Sequence, residues 1–216
     1  MERKPKRRTR ERILETSLKL FNEFGEPNVT TTIIADEMNI SPGNLYYHFS
    51  NKDEIVNTIF ADFEKEMDAI LLSPLKREPN VEDIWLFLHL VFELMWKYRF
   101  VYRDLNDILS KNRIVETHFK RILEDSIKIA HRLGLGMRAA GELAAADREI
   151  EALAKNMVLT ATYWLSFEYV LNPRKPLDGA ALSRGVYQVM AMVAPFLQGK
   201  SKTLLEHLSQ AYLKPQ

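Results

Sequence analysis

Apolar residues recur every three or four positions through most of the 216-residue chain, the spacing that one face of an α-helix produces. The first such run covers residues 10–24 and ends at Gly25, and the Glu26-Pro27 pair that follows is a common helix stop. Runs that alternate between apolar and polar residues between glycines or prolines, as strands do, are missing from the sequence. The pattern therefore predicts an all-α fold.

Two short helical runs follow, in residues 32–39 and 42–49, and only a tight turn separates them. The first of these runs directs three apolar side chains inward, those of Ile33, Ile34 and Met38. Two short helices joined in this way form a helix-turn-helix, whose second helix enters the major groove of DNA. A longer helix over residues 52–72 comes next and is expected to connect this unit to the rest of the chain.

The second short helix begins on Ser41-Pro42-Gly43, although a Pro-Gly pair usually marks a turn. Ser41 is a good N-cap, and Pro42 then occupies the first helical position, where its missing N–H costs nothing. Gly43 has no side chain, so the backbone there can approach a partner closely. Leu45 and Phe49 lie four residues apart and are expected to anchor the inner face.

The outer face of this helix then carries residues with the chemistry of DNA recognition. Asn44 can read the edge of an adenine, and Tyr47 and His48 can donate hydrogen bonds to phosphates. Lys52 lies just beyond the helix, where its ammonium can pair with a phosphate. Core packing is the competing interpretation for the tyrosines, but adjacent helical positions cannot both face one core, so Tyr46 or Tyr47 must be exposed.

The stretch "SPLKREPNVED" marks the first clear boundary, because it holds two prolines and several charges. Beyond it, residues 80–98 are apolar almost all round, which is typical of a helix buried on most sides. A Gly-rich joint, "LGLGMRAAGELAAAD", interrupts the later helices. Those helices are predicted over residues 101–110, 113–133, 147–171, 179–198 and 201–213.

The composition of the chain restricts its expected location and its expected chemistry. The chain has no cysteine and no apolar run long enough for a membrane span, which favours a cytoplasmic protein. Residues 1–12 hold seven basic and two acidic residues, so they form either an arm that attracts phosphates or a solvated tail. None of the five histidines has another three or four residues away, and no cysteine nucleophile or Gly-rich phosphate loop occurs, so an enzyme is not expected.

Several motifs resemble the DNA-binding domain of the TetR family of bacterial transcriptional regulators. The residues that carry the resemblance are Ile13-Leu14 in the first helix, Thr30-Thr31 before the second, Leu45-Tyr46-x-x-Phe49 in the third, and Lys52 with Asp53-Glu54 after it. The stretch "LFNEFGEPNVTT…ISPGNLYYHF" is also similar to regulators from polyhydroxyalkanoate gene clusters. The likeness covers about residues 8–60.

The resemblance implies a homodimeric repressor that binds operator DNA and is released by a small effector. It places Thr31, Tyr46, His48 and Lys52 at phosphates, and Pro42, Gly43 and Asn44 at bases. Some members of the family read a guanine with an arginine where this chain has Thr32, so base reading from the second helix is left open. The implied domains are residues 1–51 with the connecting helix 52–72, and residues 73–216.

The C-terminal half supplies candidates for an effector pocket and for a dimer interface. Aromatic and apolar residues of the helices after residue 80 would line a pocket for an acyl or aromatic effector, unless they are simply core: Trp85, Leu88, Phe92, Trp96, Phe119, Tyr163, Trp164 and Phe167. Apolar and small residues in 147–171 and 179–198 favour a four-helix homodimer interface. The alternative function is a DNA-bound structural or protein-binding factor without an effector, which a solidly filled C-terminal domain would favour.

Overall fold

The structure, a computed structural model, describes residues 6–72, 81–175 and 177–213, and its regular elements are helical. The all-α prediction is therefore confirmed. The elements in chain order are α1 Lys6–Phe24, a 3-10 turn Glu26–Asn28, α2 Thr31–Glu37, α3 Pro42–His48, α4 Lys52–Leu71, α5 Val81–Lys97, α6 Arg99–Arg103, α7 Leu105–Lys111, α8 Arg113–Ala139, α9 Asp147–Leu171, α10 Ala180–Val193, a 3-10 turn Ala194–Phe196, and α11 Gly199–Leu213.

The chain packs as two compact units, and neither is continuous in sequence. The N-terminal unit holds the residues up to Lys65 together with Tyr98–Phe119. The C-terminal unit holds Glu66–Lys97 and the residues from Lys120 onward. This packing division differs from the predicted functional division at residues 51 and 73, because residues 98–119 join the helix-turn-helix. The predicted boundary segment lies mostly in residues 73–80, outside the described residues.

The N-terminal unit has two centres of apolar packing. One lies between α1, α2 and α3, where the inner residues are fully buried: Ile13, Phe21, Ile34, Leu45 and Phe49. The other is an aromatic cluster of Phe60, Phe63, Tyr98, Tyr102 and Phe119, with ring centroids 5.5 to 6.4 Å apart in its contacting pairs. Burial raises the pKa of Tyr102 well above its ordinary range, since water no longer solvates a phenolate there.

The C-terminal unit is built around α10, which packs against α5, α9 and α11. Gly185 of α10 makes this close packing possible: a Cβ at that position would lie 2.3 Å from Phe92 of α5 and 2.6 Å from Trp164 of α9. The turn after α10 is tied to the loop after α8 by hydrogen bonds from Ala144 N–H to Phe196 O and from Gln198 N–H to Glu142 O.

The prediction that a Gly-rich joint interrupts the helices is wrong for the first half of that stretch. Helix α8 continues through Gly134 and Gly136 to Ala139. Gly134 lies where a Cβ would come 2.7 Å from Ile150 Cγ2 of α9. The glycine is therefore explained by close helix packing and not by a chain break, and single glycines are tolerated within helices for such reasons.

The predicted helix over residues 101–110 is also wrong, because it is two helices that meet at Asp104. Asp104 has φ −103° and ψ 18°, outside helical geometry, and its carboxylate accepts a hydrogen bond from Glu26 N–H. The predicted helix 179–198 ends early, at Val193, because Pro195 has no N–H to continue it.

Apolar residues of two helices are more exposed than the sequence predicts. Ile33 of α2 was expected to point inward but is 40% exposed. Helix α5 was expected to be buried on most sides, yet Leu86 and Leu90 lie on its exposed face. Residues adjacent in a short helix point about 100° apart, so Ile34 takes the inner position and Ile33 is left outside.

Candidate nucleic-acid interface

Helix α3 begins as the sequence predicts. Ser41 is the N-cap, its Oγ accepts a hydrogen bond from Asn44 N–H at 3.2 Å, and Pro42 occupies the first turn. The nearest atom to a Cβ built on Gly43 is Ser41 Oγ at 3.9 Å, so the space beside this glycine is open. A seven-residue helix has few internal hydrogen bonds, which makes its cap important for its position.

The two faces of α3 are strongly different. Leu45 is 0% exposed and Phe49 is 1% exposed, which confirms that they anchor the inner face. Pro42, Gly43 and Asn44 are exposed on the outer side. Tyr46 and Tyr47 are also exposed, and the His48 ring meets the Tyr47 ring edge-on with centroids 5.2 Å apart. The outer face of α3 therefore exposes side chains that can form hydrogen bonds with a partner.

Two of the predicted phosphate-contacting residues are joined to each other. The Thr31 and Tyr46 hydroxyls form a hydrogen bond of 3.0 Å, which links α2 to α3. Thr30 is the N-cap of α2 and accepts from Ile33 N–H, while Thr32 is exposed beside it. The two hydroxyls therefore form one polar pair at the surface.

Lys52, also predicted to contact a phosphate, is engaged within the protein. Its Nζ lies 2.7 Å from Glu26 Oε1 and donates to Glu26 O at 3.0 Å. The Lys52 side chain is 28% exposed and that of Glu26 is 10% exposed. Because a lysine ammonium has three N–H groups, these two acceptors leave one for a further partner.

The start of α4 is capped by three hydrogen bonds among Ser50, Asn51 and Glu54. Asn51 Oδ1 accepts from Glu54 N–H at 2.8 Å, and Glu54 Oε2 accepts from the N–H and the hydroxyl of Ser50, both at 2.7 Å. These bonds from Ser50 hold the pKa of the Glu54 carboxyl below its ordinary value, since they stabilise its charged form. The guanidinium carbon of Arg10 lies 4.6 Å from the centre of the Phe49 ring. Residues 6–12 of the basic segment belong to α1, and residues 1–5 lie outside the described residues.

Two of the predicted effector residues line a small cavity. A small cavity of about 30 Å³ in the C-terminal unit is lined by Ile84, Trp85, Leu88, Met137, Met190, Val193, Leu197 and Leu205. Trp85 and Leu88 of the predicted set are among them. This volume is far below the roughly 300–1,000 Å³ of a typical ligand pocket.

The other predicted pocket residues have different surroundings. Phe92 is 1% exposed and packs at Gly185, and Trp164 Nε1 donates to Ala181 O at 2.7 Å. Tyr163 and Phe167 are exposed by 43% and 51%. Trp96 is half-buried in α5, and Phe119 belongs to the aromatic cluster of the N-terminal unit.

Helix α9 presents an exposed apolar stripe, made of Leu159, Tyr163, Phe167 and Val170, which are 43% to 72% exposed. Beside it, Arg184 of α10 donates from Nε and Nη2 to the two carboxylate oxygens of Glu168 at 2.8 Å. Glu168 is buried, so this bidentate pair satisfies a carboxylate that would otherwise be unpaired. The pair fixes the register of α9 against α10.

Sequence reasoning missed the contacts of Glu26, Arg103 and Asp104. Glu26 and Asp104 are 78 residues apart in sequence, and neither carries a pattern that predicts a contact with the other. No helix in the described ranges combines the length and apolar character needed to cross a membrane. Within those ranges, His, Asp and Glu side chains do not gather in a group that could hold a metal ion.

Two family models together match most of the chain. The family model described as "Bacterial regulatory proteins, tetR family" matches residues 13–59, and that described as "Bacterial transcriptional repressor" matches residues 62–205. A TetR-family transcriptional regulator from Marinobacter aquaeolei VT8 has a similar structure, with a TM-score of 0.85 and 33% identity over 96% of this chain and 99% of that one.

Two characterised regulators are similar in sequence. The HTH-type transcriptional regulator HbdR of Aromatoleum sp. (strain CIB) is 25% identical over 208 residues, which are 91% of this chain and 84% of HbdR. The biofilm operon icaADBC negative transcriptional regulator IcaR of Staphylococcus aureus is 26% identical over 100 residues, 45% of this chain. The chain thus spans about half of the length of IcaR, 54%.

Proposed function

Because the chain belongs to the TetR family of bacterial transcriptional regulators, we propose that it is a sequence-specific DNA-binding regulator that inserts α3 into the major groove. The observation that carries the proposal is the outer face of α3, where Pro42, Gly43, Asn44 and Tyr47 are exposed above the buried Leu45 and Phe49. A helix held by two core anchors and a side-chain cap can present such residues at a fixed angle.

Each residue of the surface has a proposed role. Asn44, with the backbone opened by Pro42 and Gly43, reads base edges, and an Asn amide matches the donor and acceptor of adenine. Four residues contact phosphates and set the position of the helix: Thr31, Tyr46, His48 and Lys52. The hydrogen bond between the Thr31 and Tyr46 hydroxyls supports a shared phosphate for this pair. Tyr47, the most exposed of the ring residues, lies at the groove wall, and Thr32 has no assigned base.

The chain is proposed to act as a homodimer through residues 147–171 and 179–198. The exposed apolar stripe of α9 supports this, because water does not favour a continuous row of exposed apolar side chains. Two helices from each protomer would then form a four-helix interface. The dimer would place its two α3 helices one turn of duplex apart, about 34–36 Å.

Repression with release by a small apolar effector is the proposed mode of regulation. IcaR is by its name a negative regulator, which supports repression here. The lining of the C-terminal cavity is apolar and includes Met137 and Met190, whose flexible side chains can make room for a ligand. The ligand would act by binding one spacing of the α3 helices better than the other. The site of action would be the cytoplasm, where bacterial DNA lies.

The second candidate function is a DNA-bound factor that takes no effector. The volume of the cavity, about 30 Å³, favours it, because that space holds about one water molecule. Hydrophobic acids, esters and aromatic compounds titrated into the protein would distinguish the two. Binding to the C-terminal unit that changes DNA affinity supports the effector, and no change with any bound compound supports the second candidate.

The DNA-binding proposal is tested by selecting duplexes from random sequence with the full chain. We expect a consensus of two half-sites. The Asn44→Ala variant should then lose preference at one base pair per half-site, by about 1–3 kcal/mol, and keep its other preferences. Failure to enrich any sequence would contradict the proposed function, and equal loss for every sequence would remove Asn44 from the base-reading residues.

A further inference from the structure

A continuous polar relay runs through the N-terminal unit from the junction of α6 and α7 to Lys52. Arg103 Nε and Nη2 donate to the two carboxylate oxygens of Asp104, each at 3.2 Å. Asp104 Oδ2 accepts from Glu26 N–H at 2.9 Å. Glu26 in turn holds the Lys52 ammonium through both its backbone carbonyl and its carboxylate.

The relay is also anchored to the end of α1. Arg103 Nη2 donates to Phe21 O at 2.8 Å, and the N–H of Phe100 donates to Asn22 Oδ1 at 3.1 Å. The last turn of α1 has no basic residue of its own, so Arg103 supplies a cation to its carbonyls. Gly25 leaves room for the contact between Arg103 and Phe21 O, because a Cβ there would lie 3.0 Å from Arg103 Nη2. Its φ of +92° also favours glycine at this position.

Most residues of this relay are largely buried, which restricts their side chains to one geometry. Glu26 and Asn22 are among the buried polar residues of the unit, and the side chains of Arg103 and Asp104 are 12% and 16% exposed. Polar groups in such surroundings are costly unless all of them are paired, so each holds its neighbours in one geometry. Lys52, at the outer end, is the most exposed member at 28%.

We propose that Arg103 and Asp104 are positioning residues for DNA binding, which act through Glu26 to aim the remaining N–H of Lys52 at a phosphate. The inference rests on the proposed function and adds to it a set of residues outside the helix-turn-helix. It assigns the junction of α6 and α7 an influence on the affinity for DNA that is exerted through Glu26. A shift of that junction moves the acceptor that orients Lys52, without any change in α3.

The alternative role of Glu26 makes an opposite prediction. If Glu26 only neutralised the charge of Lys52, replacing its carboxylate by an amide would strengthen the attraction of Lys52 to DNA. If Glu26 positions the ammonium, Glu26→Gln weakens binding, because the short charged contact is lost. Tighter binding by Glu26→Gln would therefore overturn the proposal.

The main experiment measures the affinity of the full chain for its selected duplex as a function of salt concentration. A lysine–phosphate contact contributes about 0.9 to the slope of log K against log salt, so Lys52→Ala should lower the slope by about that amount for each Lys52. Asp104→Ala should lower affinity about 2- to 30-fold and reduce the slope in the same direction. In the Lys52→Ala background, Asp104→Ala should have no further effect on binding.

Matched variants separate positioning from general damage. Asp62→Ala removes the same charge from an exposed position of α4 and should leave the salt slope unchanged. Asp104→Asn keeps an acceptor for Glu26 N–H but should lose the bidentate contact with Arg103. It replaces Asp104→Ala in the experiment if circular dichroism shows that Asp104→Ala is unfolded. The same non-additivity with Lys52→Ala is expected.

The outcomes distinguish this inference from the proposed function. If the Asp104 variants lose the same DNA affinity with Lys52 present as with Lys52 replaced, the relay is overturned. The proposed DNA-binding function would still stand. An unchanged slope for Lys52→Ala overturns the last step of the relay, again with DNA binding intact. A wild-type protein that enriches no duplex contradicts the proposed function itself and the relay with it.

Discussion

At the scale of single residues, Gly185 shows how closely the helices of the C-terminal unit approach. A Cβ at this position would overlap the Phe92 and Trp164 rings, since it would lie 2.3 and 2.6 Å from their nearest carbons. Both rings are held in place, Phe92 by burial and Trp164 by its hydrogen bond to Ala181 O. Neither ring can move aside without disturbing its own contacts.

Gly185→Ala should destabilise the protein by about 1–3 kcal/mol through overpacking, despite the better helix propensity of alanine. The measurement is the free energy of unfolding in urea. Gly179→Ala is the control, because nothing lies within 4 Å of a Cβ there. Equal stability of the two variants would mean that α10 can move away from α5 and α9.

Glu54 gives a pH-dependent prediction at the same scale. Hydrogen bonds from Ser50 lower its pKa in the folded protein below the ordinary 4.5. A lowered pKa stabilises the fold above pH 4.5, and that stabilisation is lost as the pH falls through the folded value. Glu54→Gln should therefore unfold more easily than the wild type at pH 7, and the difference should shrink at pH 3. A difference that is constant with pH in urea unfolding would contradict this.

At the scale of elements, the short α3 depends on its ends. Ser41 caps it, and Leu45 and Phe49 hold its inner face. The residues of this helix were predictable because cap, proline and core anchors lie within ten residues of each other. The break between α6 and α7 was not predictable, because the group that draws Asp104 out of helical geometry is Glu26 N–H, 78 residues away. The same reason applies to Gly134, whose role depends on Ile150 of another helix.

Ser41→Ala should cost about 1 kcal/mol of stability, because Asn44 N–H loses its acceptor. We also expect weaker operator binding, since fraying of the first turn displaces Asn44. The free energy of unfolding and the operator affinity are to be measured together. Ser110→Ala, in α7, removes a hydroxyl that donates only to Asp107 O and should leave operator affinity unchanged. Unchanged DNA binding in Ser41→Ala would show that the core anchors alone hold α3.

At the scale of the whole molecule, α9 carries four exposed apolar residues in one stripe. Its residues recur every three or four positions and so share one side of the helix. The pair of the buried Glu168 with Arg184 beside them keeps α9 and α10 in one register. The sequence predicted these helices as an interface from their composition, but it could not separate the residues that face outward, such as Tyr163 and Phe167, from pocket residues.

The double variant Leu159→Glu with Phe167→Glu should dissociate the proposed dimer. Each new carboxylate would be buried without a partner, which costs several kcal/mol and raises the dimer Kd by at least about 100-fold. Sedimentation velocity at micromolar protein gives the test. Leu86→Glu makes the same change at a residue of α5 that is 50% exposed and should leave the oligomeric state unchanged. A dimer that survives the double variant would place the interface elsewhere.

The split of the N-terminal unit between two stretches of the chain has a consequence for gene evolution. The carbonyls at the end of α1 receive their cation from Arg103, so the helices proposed to read DNA are completed by residues encoded well downstream of them. A recombination event that exchanged only the first 65 codons would separate α1 from Arg103, and Glu26, which holds Lys52, from Asp104. New operator specificity is therefore expected to arise by substitutions within α3, or by exchange of both stretches together, more readily than by transfer of the first stretch alone.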